Sequence, residues 1–332
     1  MRPEAGADPD FSGVAGIGVP CGRARAMLAP SATEPIMHTD IRHAPGEYVD
    51  VNGTRLWVER EGAGDPLVLL VGGPANSHVT FHPVFSQLAD ACEVVYYDYR
   101  GRGRSDKPDD PRAITFDGDV ADLEGLRRAL DFERMHLYGF SYGGLVAQAY
   151  ALAHPGRVSR LVLANTLYSA SMWQANHDNI NAELQRQFPE VWERILALRA
   201  QGHRSSSPDM QALFAVHGPL TRWYDASRAA TLPTEPGSPD KTLYFAFVGD
   251  DIDFEPGGEV AKLPDFRPRL AELAMPVLIL AGRYDRALYP KLQLDFKRYC
   301  PQARFVMLEK SGTFGHFEEH ETVMPLLREF LA

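Results

Sequence analysis

From Glu47 onward the chain alternates short apolar runs with loops bearing Gly, Asn or Asp. Tyr48-Val49-Asp50-Val51 and Leu56-Trp57-Val58 flank Asn52-Gly53, a dipeptide that accepts the positive φ angles of a tight turn, which predicts an opening antiparallel hairpin. Leu67 to Val71 and Val94 to Tyr97 are continuously apolar, as strands buried on both faces are. A helical period over Asp117 to Leu130 leads to a strand at Met135 to Tyr138, and a second helix over Tyr142 to Ala153 leads to a strand at Leu161 to Ala164. Such alternation predicts an α/β fold: a mostly parallel central sheet flanked by helices, with ligands bound beyond the carboxyl ends of the strands.

Between about 166 and 265 the alternation stops. Helix-like stretches such as Ile180 to Arg199 and Asp209 to Val216 are joined by Pro- and Ser-rich connections, the pattern of an inserted helical cap. The core rhythm resumes with Val277 to Leu280, a helix over Tyr289 to Tyr299, Phe305 to Leu308, and a closing helix over Thr322 to Leu331. The expected division is a disordered tail over 1–36, an α/β core over 37–165 and 266–332, and the cap over 166–265.

Composition narrows the function. With a formal net charge of -10 and no Lys/Arg-rich block, the chain lacks the clustered cations that nucleic acid or an anionic membrane requires. Its longest apolar runs have strand length, far short of the roughly 20 residues of a membrane-spanning helix. Cys21, Cys92 and Cys300 are too scattered for a disulfide framework or a cysteine metal site, so no cofactor or metal is implied. The tail is rich in Gly, Ala and Pro, and its acidic residues precede a Gly-interrupted apolar patch, unlike a secretory signal; a cytoplasmic protein is expected. Met27 and Met37 both precede the first strand, and one of them is the expected translation start.

The chemistry gathers at Gly139-Phe140-Ser141-Tyr142-Gly143. The serine follows a strand and opens a helix, and the flanking glycines permit the sharp turn that lifts a hydroxyl above the sheet edge, so Ser141 is the candidate nucleophile. A serine needs a base to take its proton and an acid to hold that base, in the order Ser, Asp/Glu, His in such a fold. Asp285, closing the loop after Val277 to Ala281, is the candidate acid. Between Glu309 and Glu321 the histidines are His316 and His320; His320 lies among glutamates at the entry to the last helix, so His316 is the candidate base. Backbone N–H groups of Gly73 and Tyr142 are the candidate oxyanion donors, with Gly72, Pro74 and Phe140 beside the substrate. Asp98 to Ser105, with three arginines and two glycines, lacks phosphate-loop spacing and is expected to be structural.

At Gly72-Gly73-Pro74, Asp98 to Ser105, Gly139 to Gly144, Gly249-Asp250-Asp251 and Gly282-Arg283-Tyr284-Asp285, the chain resembles the proline iminopeptidase-like branch of the α/β-hydrolases, serine aminopeptidases with a helical cap. The resemblance runs from about Gly46 to the end and implies a serine hydrolase acting through an acyl-enzyme on a small amide or ester. Three departures stand out. The family's His-Gly-Gly-Pro-Gly reads Val71-Gly72-Gly73-Pro74-Ala75, and its Ser-Gly-His reads Ser311-Gly312-Thr313, leaving His316 three residues late. Where relatives often place an ammonium-binding carboxylate after the triad aspartate, this chain has Arg286, suited to a substrate carboxylate. Asp250, Asp251, Asp253 and Glu255 remain as an amine site. The expected partner is a small molecule or short peptide. Two other classes stay open: non-hydrolytic chemistry such as cyclisation, elimination or acyl transfer, and a ligand-binding protein with a vestigial triad.

Overall fold

The computed structural model describes residues 41–332. The expected tail, Cys21, Met27 and Met37 lie outside the described residues. The strands are β1 (Gly46–Val51), β2 (Thr54–Glu61), β3 (Pro66–Leu70), β4 (Glu93–Tyr97), β5 (Met135–Phe140), β6 (Val158–Ala164), β7 (Val277–Gly282) and β8 (Arg304–Leu308). They form one 8-stranded sheet in the order β1-β2-β4-β3-β5-β6-β7-β8. The opening hairpin turns at Asn52 (φ 48°) and Gly53 (φ 77°), both in the left-handed region that a two-residue turn requires. The β2 strand pairs antiparallel to β4, and from β4 to β8 every pairing is parallel. Every residue of β5 and β7 is buried, and apart from His136 their sequences are apolar, aromatic or glycine.

Core helices α1 (His82–Phe85), α2 (Phe116–Ala129) and α3 (Tyr142–Ala153) precede β6. Thr115 caps α2 by accepting from the Gly118 amide, with Asp117 and Asp119 in the first turn. Between β6 and β7 lie α4 (Ala170–Gln187), α5 (Pro189–Ala200), α6 (Pro208–Phe214), α7 (Gly218–Arg222) and α8 (Lys241–Val248). The stretch Ile180 to Arg199 is therefore two helices: Pro189 cannot continue α4, lacking an N–H and crowding the preceding turn, and instead begins α5. These helices have their own apolar cluster, built on Ile180, Leu184, Ile195, Met210 and Phe214, and it reaches Ala287 in the loop after β7. The chain closes with α9 (Pro290–Tyr299) before β8, then α10 (Gly315–Glu318) and α11 (His320–Leu331). No helix among the described residues is long and apolar enough to cross a membrane.

The parallel register sets the carboxyl ends of β3, β5, β6, β7 and β8 along one sheet edge. Leu70 pairs with Gly139, Gly139 with Leu163, Ala164 with Leu280, and Gly282 with Leu308. The loops bearing Gly73, Ser141, Asp285 and Thr313 leave from that edge.

Candidate active site

Ser141 sits between β5 and α3 at φ 50° and ψ -118°, a conformation that costs a non-glycine residue about 1–3 kcal/mol. Its neighbours hold it there: its N–H donates to the Ala164 carbonyl (3.0 Å), and its carbonyl accepts from the Gly144 amide (2.9 Å) and the Thr166 hydroxyl (2.6 Å). Gly143 is obligatory, since a Cβ there would lie 2.1 Å from the Leu70 carbonyl oxygen.

A cavity of about 100 Å³ lies over Ser141, walled by Gly72, Gly73, Pro74, Phe140 and Tyr142 among others. Gly73 is at φ 75°. The Tyr142 amide is the first of α3 and so has no partner within the helix. The Asp98 to Ser105 loop braces both groups. Buried Arg102 donates to the Pro74 carbonyl (2.7 Å) and forms a two-pronged pair with Asp119 (2.8 Å each), and Asp119 accepts from the Tyr142 hydroxyl (2.5 Å).

Asp285 is 1% exposed and fully engaged. One carboxylate oxygen accepts from the amides of Ala287 (2.9 Å) and Leu288 (2.8 Å); the other accepts from the Asn165 amide group (3.2 Å) and the Thr313 hydroxyl (2.8 Å). Burial raises its pKa, and these four donors oppose the rise. The side chain that Asp285 holds is therefore Thr313, which lines the cavity and has no basic atom.

His316 departs from expectation. It lies on α10 and is 2% exposed, and neither ring nitrogen has a hydrogen-bond partner. The rings of Phe140 (4.7 Å between centroids), Phe81 (5.6 Å), Phe85 (5.7 Å) and Tyr138 (6.0 Å) enclose it, and burial lowers its pKa to about 3. The cause is local. The chain turns into α10 directly after Phe314, with Gly315 so close to Leu308 that a Cβ would lie 2.4 Å from its Cδ1, and the next residue points into the aromatic interior. His320 opens α11 and contacts the Phe317 carbonyl (3.3 Å), so neither histidine of this loop pairs with Asp285.

Arg286 also departs from expectation. It is half-exposed, does not line the cavity, and lies 3.8 Å from Glu183. The cation that does line it is Arg222, at the end of α7, which faces both this cavity and an adjoining one of about 370 Å³. Among the described residues no carboxylate lies within salt-bridge distance of Arg222, Asp253 lines the adjoining cavity with it, and the Arg222 carbonyl accepts from the Thr313 amide (2.7 Å). Of the four acids in 250–255, Asp251 pairs with Arg199 (2.6 Å) and Arg204 (2.8 Å), while Asp250 and Glu255 are exposed. Asp253 accepts from His177 Nδ1 at 3.0 Å.

His177, on α4, is the one imidazole lining the cavity that holds Ser141. The Trp173 indole donates to its Nε2 (3.3 Å), which assigns the proton to Nδ1 and occupies the Nε2 lone pair, so both ring nitrogens are engaged. The sequence carries no cue for His177 or Arg222, and it marks Asp253 only as one of four acids suited to a substrate amine. They lie in three separate segments whose approach depends on how α4, α7 and the turn after α8 pack. Thr313 did carry one, its place in Ser311-Gly312-Thr313. Volume alone would mislead: a recess of about 750 Å³ beside α2 is lined by Asn52, Arg100, Asp122 and Glu124 but holds no nucleophile.

Comparison with known proteins agrees with this architecture. Residues 65–320 match the family model described as the alpha/beta hydrolase fold. The chain is 45% identical to a proline iminopeptidase of Lactobacillus helveticus over 274 residues, 80% of this chain and 89% of that protein. It is 30% identical to a proline iminopeptidase of Lactiplantibacillus plantarum over 286 residues, 84% of this chain and 96% of that protein. The solved structure of a Mycobacterium smegmatis proline iminopeptidase superposes with a TM-score of 0.71 at 24% identity, covering 86% of this chain and 97% of that one.

Proposed function

Starting from a chain that belongs to the α/β-hydrolase fold family, on its proline iminopeptidase-like branch, we propose a serine hydrolase that cleaves an amide or ester of a small substrate carrying an anionic group. Ser141 is the nucleophile, and Arg222 receives the anionic group. The single observation that carries the reading is that Ser141, Gly73, Tyr142 and Arg222 line one cavity, Arg222 sharing the adjoining cavity with Asp253.

The proton relay differs from the one the family resemblance implies. Once the Trp173 indole releases Nε2, His177 accepts the Ser141 Oγ proton as Oγ bonds to the substrate carbonyl carbon, and the carbonyl electron pair moves onto an oxygen held by the Gly73 and Tyr142 amides. Collapse expels the leaving amine or alcohol, which takes the proton from His177. Water then hydrolyses the acyl-enzyme with His177 as base again. Asp253 keeps the imidazole in its productive tautomer, while Asp285 and Thr313 brace the loops after β7 and β8.

A guanidinium and a carboxylate match as two parallel hydrogen bonds, so carboxylated substrates gain where neutral ones do not. The test is a panel of p-nitrophenyl esters and anilides with and without a carboxylate, run on wild type and Arg222→Gln. The expected result is a KM for carboxylated substrates raised about tenfold in the variant, with neutral ones unchanged. Equal effects on both sets would remove the anion assignment. If no substrate turns over and Ser141 takes no acyl group, the reading fails in favour of non-hydrolytic chemistry in the same cavity.

A further inference from the structure

Away from the cavity, His43, Glu59, His78 and His82 bring four potential donor atoms within 4.8 Å of one another. Glu59 comes from β2, and His43 lies three residues before β1. His78 and His82, four residues apart and hence on one helical face, follow the Gly72-Gly73-Pro74 loop. Glu59, His78 and His82 are buried, and His43 is partly exposed at the rim.

Three imidazole nitrogens crowd one carboxylate, which also accepts from the Trp57 indole (2.8 Å). Around the Glu59 carboxylate lie His43 Nδ1 at 3.0 and 3.1 Å, His78 Nε2 at 3.3 Å and His82 Nε2 at 3.0 Å. A tetrahedral ion with bonds of about 2.0–2.1 Å sets its donors about 3.3 Å apart. His82 separates this arrangement from an ordinary hydrogen-bonded cluster. Its Nε2 is near Glu59 but neither ring nitrogen makes a hydrogen bond, and the ring is fixed by stacking on Tyr96 at 4.1 Å. His78 has the supporting contact expected of a metal ligand: its Nδ1 lies 2.8 Å from Asp98 Oδ1.

We propose that Glu59, His78 and His82, closed by His43, form a structural site for a divalent transition metal, with Zn²⁺ the ion that three imidazoles and one carboxylate suit. The site ties the start of β1 to the segment that follows the oxyanion loop. Arg104 competes with the ion, since it lies 3.2 Å from Glu59 and 3.0 Å from His43 Nε2; on binding it turns to its other partner, Glu235, at 3.3 Å. The inference does not depend on the reaction at Ser141.

The test is calorimetric titration of Zn²⁺ into untagged, chelator-stripped full-length protein, followed by X-ray absorption of the loaded form. One ion per chain is expected, with N/O ligands at about 2.0–2.1 Å and a raised melting temperature. His82→Ala and, at the exposed rim where folding is not at stake, His43→Ala are each expected to weaken binding at least about tenfold. Arg104→Gln is expected to tighten it. Failure to bind one ion, or His43→Ala and His82→Ala both binding as tightly as wild type, overturns the proposal.

Discussion

Two histidines of this chain sit in opposite surroundings. His316 follows the strand after which the fold supplies its base, yet it is enclosed by aromatic rings with both nitrogens unpartnered, and burial holds it neutral. His177 comes from the helices inserted between β6 and β7, yet it lines the cavity over Ser141 and is oriented by Asp253. Chain position selects the first; the proposed relay uses the second. An imidazole transfers protons only if one nitrogen reaches the reacting atoms and the other is held in a defined tautomer. His177 has the second condition and a place in the cavity, whereas His316 has neither.

The contrast breaks most visibly at the nucleophile. Ser141→Ala is expected to lower kcat/KM by a thousandfold or more, on the order seen when a nucleophile is removed, with an unchanged melting temperature. His177→Gln is expected to cost about a hundredfold in kcat with little change in KM, and Asp253→Asn somewhat less, both read from steady-state kinetics. An intact rate in His177→Gln would remove the relay proposed above.

His316 sharpens the other side of the comparison through stability. Its pKa falls from 6.5 to about 3 on burial, so between those values the unfolded chain binds the proton and the folded one does not. Stability from this group is full above about pH 6.5 and falls as the pH drops toward 3. Between pH 6.5 and 5 the loss is about 2 kcal/mol. His316→Leu is expected to abolish that part of the pH dependence in denaturant titrations while leaving activity unchanged. The smallest effect is a rescue. Thr313→His in a His177→Gln background sets an imidazole beside Asp285, and recovery of about tenfold in rate is expected. The absence of any recovery would indicate that Asp285 and Ser141 are not in triad register.

Much of this was legible in the sequence because it depends on local rules. Leu67 to Val71 and Val277 to Ala281 are apolar because their strands are buried on both faces, and Gly143 is required where α3 passes the Leu70 carbonyl. Ser141 was legible for the same reason, since strand, sharp turn and helix are contiguous. What failed depended on direction. Sequence distance places His316 near the end of β8, but the turn at Gly315 decides whether it faces cavity or core, and that turn is set by packing on Leu308. Arg286 adjoins Asp285 yet points toward Glu183, while Arg222, 63 positions before Asp285, faces the cavity. The His78-Val79-Thr80-Phe81-His82 spacing was a readable sign of two imidazoles on one face, but Glu59 and His43 join them only through the sheet.

The most direct measurement is the rate of covalent labelling by a fluorophosphonate, followed by intact mass, on wild type, Ser141→Ala, His177→Gln and His316→Leu. The account expects a single adduct on wild type, none on Ser141→Ala, a rate near wild type for His316→Leu and a rate lowered about a hundredfold for His177→Gln. No adduct on wild type, or labelling lost in a folded His316→Leu and kept in His177→Gln, would contradict it.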